Sequence, residues 1–342
     1  MKKVFLGFYN WGTQAGLHSQ MLRKQGFDTK SLVFSDKYNR IADKTISIPS
    51  GRIAHVVLRF IYGIWFFFLN FKKDVFIFYG GKTFLPKGLD LVLLKLLGKT
   101  IIFYYMGNDV QGYEVSIKKY KYTNMRNYFT SHKKGLRYDK RVSKRLSIHS
   151  KYASHQLVCA PCYLEFVPGS NLLPLVINID DYEFSESKKD SPITILHAPT
   201  NRSFKGTRYV ETAVKRLIDE GHPVKLVIAE GLSHSDLKEA YKNCDIFVDQ
   251  LLGGWYGTAA IEAMASGKPV VCFLRESHRE YVDYYDAVPI FNADPETIYS
   301  ALKHLISSPN KLMEMAVASR AFVKEFHSES YVMPRLKKYL SG

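Results

Sequence analysis

Cysteine is scarce in this chain, four in 342 residues, and only Cys159 and Cys162 lie close enough in sequence to suggest a pair. A redox pair needs an exposed helix start, and a zinc site needs a second Cys or His pair; neither accompanies them, so the expectation is two buried thiols in a reducing compartment. No apolar run reaches the roughly 20 residues that span a bilayer. The amino terminus, Met1, Lys2, Lys3 and a short apolar run broken by Asn10, has no long apolar core or cleavage site of a secretory signal. The expected place is the cytoplasm. Repeats and low-complexity segments are also missing. So are helix-turn-helix, zinc-finger and aromatic RNA-binding patterns, and nucleic acid is therefore not expected as the partner. Acidic residues are outnumbered, 32 against 48 basic, for a formal charge of +16.

What is present is a globular pattern, 46% hydrophobic and long enough for two cores. Apolar runs alternate with helical periods, which argues for α/β architecture with parallel sheets. Strands are predicted at 3–9, 29–33, 74–79, 100–105 and 156–160, with a loop at 10–16 leading into a helix that ends near Gln25. Residues 180–190 are polar without apolar period and read as a linker. A second set of strands is predicted at 193–199, 223–229, 245–249 and 269–273, and a last helix at 328–340 with Pro334 near its start.

Residues 245–273 carry the most information. An apolar run ends in a turn with Gly253, Gly254 and Gly257, an alanine-rich helix starts near Thr258 with Glu262 inside it, and Gly267, Lys268 and Pro269 close it before another apolar run. Such a turn lets backbone approach a ligand, and the helix start points free N–H groups and its dipole into it, so an anion is expected there.

The run from Gly257 to Val271 resembles the nucleotide-sugar segment of retaining glycosyltransferases of family four, which have the GT-B fold: two Rossmann-like domains whose parallel sheets face across a cleft. The resemblance implies that Glu262 holds the ribose hydroxyls of a donor nucleotide, with Gly254, Tyr256, Gly257 and Thr258 around it. A carboxylate suits a diol because it accepts two hydrogen bonds. The family's other glutamate, eight positions earlier and near the donor sugar, is here Gly254. A basic pair at a strand-to-helix turn, matched by Arg202 and Lys205, is implied to grip the donor diphosphate and stabilise its developing charge on departure. By the same resemblance no cofactor and no metal are expected, the two cations supplying the countercharge. The domains implied are 1–178 for the acceptor, 179–327 for the nucleotide-sugar, and 328–342 returning to the first.

On the acceptor side, the carboxyl ends of the first strands nominate Gly12 and Thr13, Gly80 and Gly81, and the turn Met106, Gly107, Asn108, Asp109. That turn resembles one in the family where a histidine contacts the donor sugar, a position held here by Met106. Asp109 is read either as a group orienting an acceptor hydroxyl or as a helix N-cap.

Charge points to the partner. Eleven basic residues between Lys118 and Arg145, opposed within the stretch by Asp139 alone and interleaved with tyrosines, attract polyanions. Residues 60–71, rich in phenylalanine and holding Trp65, read as a mostly buried helix with one edge exposed at a membrane interface. The resemblance implies a glycosyltransferase of the hexosyl class, and the charge and the apolar helix add its partner. It would take a nucleoside diphosphate-sugar and a lipid-linked or other saccharide acceptor, and work against an anionic membrane surface in capsule or lipopolysaccharide assembly. A relative that binds nucleotide-sugar without transfer, and a basic polyanion-binding protein, remain the alternatives.

Overall fold

The computed structural model describes residues 1–34, 40–47, 52–185 and 192–340, with side chains of 52–55 left aside. The end of the polar stretch 180–190 falls outside the described residues. The chain forms two compact units, one of Met1–Gly112, Arg137–Val176 and Glu329–Gly342, the other of Tyr113–Leu136 and Ile177–Ser328. Segment Tyr113–Leu136 thus counts with the second unit, although the sequence reading left it inside residues 1–178. Its helix Asn124–Tyr128 is seated on Arg202–Lys205, with Tyr128 and Phe204 edge to face at 5.9 Å.

The first unit has a seven-stranded parallel sheet: β1 (Lys3–Phe8), β2 (Asp28–Phe34), β3 (Lys44–Ile46), β4 (Val75–Tyr79), β5 (Thr100–Tyr105), β6 (His155–Val158) and β7 (Asn171–Leu172), in the order β3-β2-β1-β4-β5-β6-β7. All five residues of β4 are buried, as expected for a central parallel strand covered on both faces. Its core is aromatic: Phe5, Phe8, Phe76, Phe78, Phe84 and Phe103 pack together, each burial worth about 1.5–3 kcal/mol. Strand order reverses between β1 and β4, so a ligand crevice is expected at their carboxyl ends.

The second unit has five parallel strands, β8 (Ile193–His197), β9 (Val224–Ile228), β10 (Ile246–Val248), β11 (Val270–Cys272) and β12 (Ile290–Asn292), ordered β12-β11-β10-β8-β9. Its core is aliphatic. Val210, Ala213, Val214 and Leu217 of helix Thr207–Asp219, at helical spacing, meet Ile195, Ile246 and Val248. Here the order reverses between β8 and β10.

Most predicted strands appear within a residue or two, with three differences. The first helix already begins at Gln14, because its side chain ties back to the Gly12 carbonyl at 2.8 Å and to Val176. β3, β7 and β12 were not anticipated, being two or three residues long. Pro334 lies inside helix Glu329–Lys337 rather than near its start, where burial of Val332, Met333 and Leu336 holds the helix around it.

Candidate functional site

In the second unit the loops after β8 and β10 converge. Asn201 caps a single helical turn, accepting from the Phe204 N–H at 2.9 Å. Gly206, at φ +81°, ends that turn, a conformation glycine adopts without strain. The turn presents Arg202 and Lys205. Lys205 Nζ reaches Asp249, just past β10, at 2.5 Å; their side chains are 12% and 1% exposed. The other Asp249 oxygen accepts from the Gly257 N–H at 2.9 Å. A cation, a carboxylate and the backbone at the start of helix Thr258–Ala265 therefore form one cluster, and Gly257, Thr258 and Ala259 are half-exposed at its mouth.

Arg202 does not join that cluster. Its guanidinium is bound by Glu230, beyond β9, at 2.8 Å and by Glu211. Lys205 thus leans toward β10 and Arg202 toward β9, on opposite sides of β8, because two carboxylates draw the arginine away. The two expected cations are each already engaged, Lys205 by one carboxylate and Arg202 by two.

Glu262 lies one helical turn beyond Thr258 and is 5% exposed. One carboxylate oxygen is 3.1 Å from His234 Nε2, and the other accepts from the Tyr241 hydroxyl at 3.2 Å. His234 Nε2 also lies 3.2 Å from the Tyr182 hydroxyl. Burial pushes the Tyr241 phenol well up, so it stays a protonated donor. Sequence reasoning named neither His234 nor Asp249. The position of Asp249 at the carboxyl end of a predicted strand was the available signal. His197, at the end of β8, is a buried brace between Val248 O (2.8 Å) and Thr207 (2.9 Å), and burial lowers its pKa to about 4.

Two further positions in the loop differ from expectation. Tyr256 points inward, its ring stacked on Trp255 and its hydroxyl 2.9 Å from His327, so only its backbone borders the site. Gly254 has φ +79°, and a Cβ there would stand 2.5 Å from an Arg275 guanidinium nitrogen. That guanidinium stacks on Tyr120 at 3.6 Å and donates to the Tyr122 carbonyl at 2.9 Å. Where the family carries a carboxylate, this chain packs a cation.

In the first unit the nominated turns follow β1, β4 and β5. Gly12 (φ +53°) and Thr13 (φ +63°) precede the first helix. The buried Thr13 hydroxyl has no hydrogen-bond partner among the described residues. A threonine in the left-handed region with an unsatisfied hydroxyl is strained, and such strain concentrates at working sites. Gly80 abuts the Tyr9 ring, and Gly81 abuts Arg145, which donates to the Asp109 carbonyl. The Asp109 carboxylate is turned in on its own loop, accepting from Met106 and Gly107 N–H groups, the latter at 2.7 Å. Burial raises its pKa to about 6 against the pull of those N–H groups and Arg145. It staples a non-helical turn, so it is neither the N-cap nor a carboxylate open to an acceptor. Met106 and Asn108 flank it half-exposed, the Asn108 carbonyl taken by Tyr138.

The cysteines are buried and free, and burial pushes the Cys159 thiol well up. Among the described residues no group of three or more His, Cys, Asp or Glu is placed to hold a metal ion.

Residues 215–322 match the family described as Glycosyl transferases group 1. The whole chain superposes on solved structures of that architecture. The fold is GT-B. Sucrose-phosphate synthase from Thermosynechococcus elongatus is 14% identical, with 99% of this chain and 98% of that one covered at a TM-score of 0.63. Anabaena HepE in complex with UDP is 12% identical, with both chains fully covered at 0.62. The GT-B likeness extends to a putative UDP-N-acetylglucosamine 2-epimerase from Listeria monocytogenes, 12% identical over 98% and 95% at 0.58. No curated protein matches the sequence.

Proposed function

We propose that this protein is a retaining hexosyltransferase that takes a nucleoside diphosphate-sugar in its second unit. The acceptor is a lipid-linked saccharide of surface polysaccharide assembly at the inner face of the cell membrane. The observation that carries the reading is the cluster of Lys205, Asp249 and the Gly257 N–H at the helix start, with Glu262 one turn on. The cluster lies at the switch between β8 and β10, where nucleotides bind in open α/β sheets, which supports reading Lys205 as the group for the anion and Glu262 as the group for the diol.

Lys205 stabilises the departing diphosphate and Glu262 accepts from the ribose hydroxyls, while the diphosphate itself takes the acceptor proton on the face where the bond breaks. No metal or cofactor enters this reading. Thr13, with its unpaired hydroxyl, is the acceptor-side group we favour over Asp109. HepE and the S. aureus MnaA were solved with UDP, which makes UDP the first donor nucleotide to try. A thermal-shift panel of nucleoside diphosphates and their sugars tests the reading, since a ligand of the native state raises apparent stability. No shift with any of them would refute it. A shift without transfer to a saccharide would favour a binding relative.

A further inference from the structure

Four of the eleven basic residues between Lys118 and Arg145 are already engaged. Lys118 is paired with Glu114 at 2.6 Å and Lys121 with Glu296 at 2.7 Å, Arg126 caps two carbonyls of its own loop, and Arg145 is spent on Asp109. The stretch also divides between the two units after Leu136. A different unpartnered surface, apolar rather than basic, lies on the first unit.

Helix Arg52–Asn70 packs Phe66 and Phe67 onto the aromatic core of the first unit, yet every exposed position from 56 to 69 is also a large apolar residue. These positions recur at helical spacing and make a stripe about 20 Å long. Trp65 is 50% exposed and Phe68 63%. Helix Leu89–Leu96 repeats the arrangement. Leu91 and Leu94 enter the same core while Leu89, Leu93, Leu96 and the following Leu97 face out, Leu96 at 79%. Both helices meet one aromatic cluster, so their outer faces lie on the same side of the sheet. An ordinary surface helix is polar outside; here two are apolar on both faces.

The fringe is cationic. Lys72, Lys87 and Lys95 are exposed around the patch. Helix Arg52–Asn70 holds no acid, and the one acid of the other helix, Asp90, is buried, accepting from Thr83 and the Phe84 N–H at 2.8 Å each. Among the described residues no helix is long and apolar enough to cross a membrane. We infer that this two-helix face docks on an anionic lipid surface, its stripes entering the interface and its lysines resting on the headgroups. The charge decides the occupant. A second copy would bring the same lysine fringe and a like net charge against the face, whereas anionic lipid complements both the apolar centre and its rim. The inference deepens the reading above and rests on it for its purpose, bringing the protein to a lipid-borne acceptor.

The test is sedimentation with vesicles of equal parts phosphatidylcholine and phosphatidylglycerol, read alongside the UDP-induced rise in Tm. The pairs Trp65→Ser/Phe68→Ser and Leu93→Ser/Leu96→Ser replace exposed side chains, so the fold should stand, and their unliganded Tm checks that. Wild type should sediment, less so as salt rises, and each pair should weaken partitioning about tenfold or more with the UDP response unchanged. Wild type remaining in the supernatant would overturn the inference, as would both pairs sedimenting like wild type. So would a wild-type dimer by light scattering that the same substitutions split, which would give the face to a second copy. Vesicle binding with no Tm response to any nucleoside diphosphate or its sugars would uphold the docking face and sink the donor reading alone.

Discussion

Lys205 and Asp249 form a nearly buried ion pair, which makes the simplest mutation ambiguous. Lys205→Ala removes the cation proposed to face the diphosphate. It also leaves the Asp249 carboxylate, 1% exposed, with the Gly257 N–H and a weak thiol contact from Cys272 at 4.0 Å. Removing one partner of a buried pair costs about 3–5 kcal/mol, a large part of the ~5–15 kcal/mol that holds a domain together. The single variant should therefore lose both stability and transfer. Lys205→Met with Asp249→Asn separates the two effects. Methionine keeps the volume of the stem, and the asparagine carbonyl still accepts from Gly257, so no charge stays buried. Urea unfolding should return to within about 1 kcal/mol of wild type, since replacing a buried pair is often close to neutral. UDP affinity by calorimetry should stay down by about 1.5–3 kcal/mol, the worth of a hydrogen bond to a charged group, or roughly 10–150-fold. Transfer should stay down by ~10²–10³-fold. If the double variant binds UDP as tightly as wild type, Lys205 does not touch the diphosphate.

Three other expectations follow from the geometry. Glu262→Gln should cost a ribonucleoside diphosphate more affinity than its 2′-deoxy counterpart; equal losses would show that His234 and Tyr241, rather than a ribose, are what the carboxylate serves. Gly254→Glu should lower Tm and not raise activity, because φ +79° costs a side chain about 1–2 kcal/mol and Arg275 already fills the space; a variant as stable as wild type would place Arg275 elsewhere. Burial lowers the pKa of His18 and His149 to about 3 and of His197 and His278 to about 4. Below the unfolded value near 6.5 the unfolded chain takes up protons that the folded chain refuses. Stability should thus be full above pH 6.5 and fall toward pH 4 by about 1.4 kcal/mol per pH unit for each histidine. Denaturant titrations at pH 5 and 7 measure this, and His18→Gln should remove one proton's share of the slope.

The second unit was the more legible because its signals are local. An apolar run, a glycine turn and an alanine-rich segment ending in Gly267 specify strand, loop and helix within thirty residues of one another, and the structure builds Thr258–Ala265 where the sequence placed it. The partners that decide the chemistry are remote: Asp249 is 44 residues from Lys205, and His234 is 28 from Glu262. No periodicity carries such a pairing. Arg202 shows the reverse case, a residue type and spacing that suited the site while Glu211 and Glu230 hold its side chain elsewhere. The stripe of Arg52–Asn70 was readable as a mostly buried apolar helix with one exposed edge, but the full width of its outward face was not, since a helix hydrophobic all round reads the same whether a core or a membrane covers it.

Gly254 ties these threads together. In sequence it is an absence, a carboxylate missing from a motif otherwise matched. In the structure it is the condition for a presence: only a residue without Cβ leaves room for the Arg275 guanidinium, while the backbone N–H of Arg275 donates to the Gly254 carbonyl at 3.0 Å. Arg275 is anchored in turn by Tyr120 and Tyr122, on the segment Tyr113–Leu136 that joins the second unit from the first half of the chain. Substitution at 254 alone therefore cannot recreate the family's carboxylate, because the space is held by three residues from two distant parts of the sequence. Converting the loop would need Arg275 shortened in the same variant, and Gly254→Glu with Arg275→Ala should recover more Tm than Gly254→Glu alone. If it recovers none, strain at φ +79° and not the guanidinium is what excludes a side chain there.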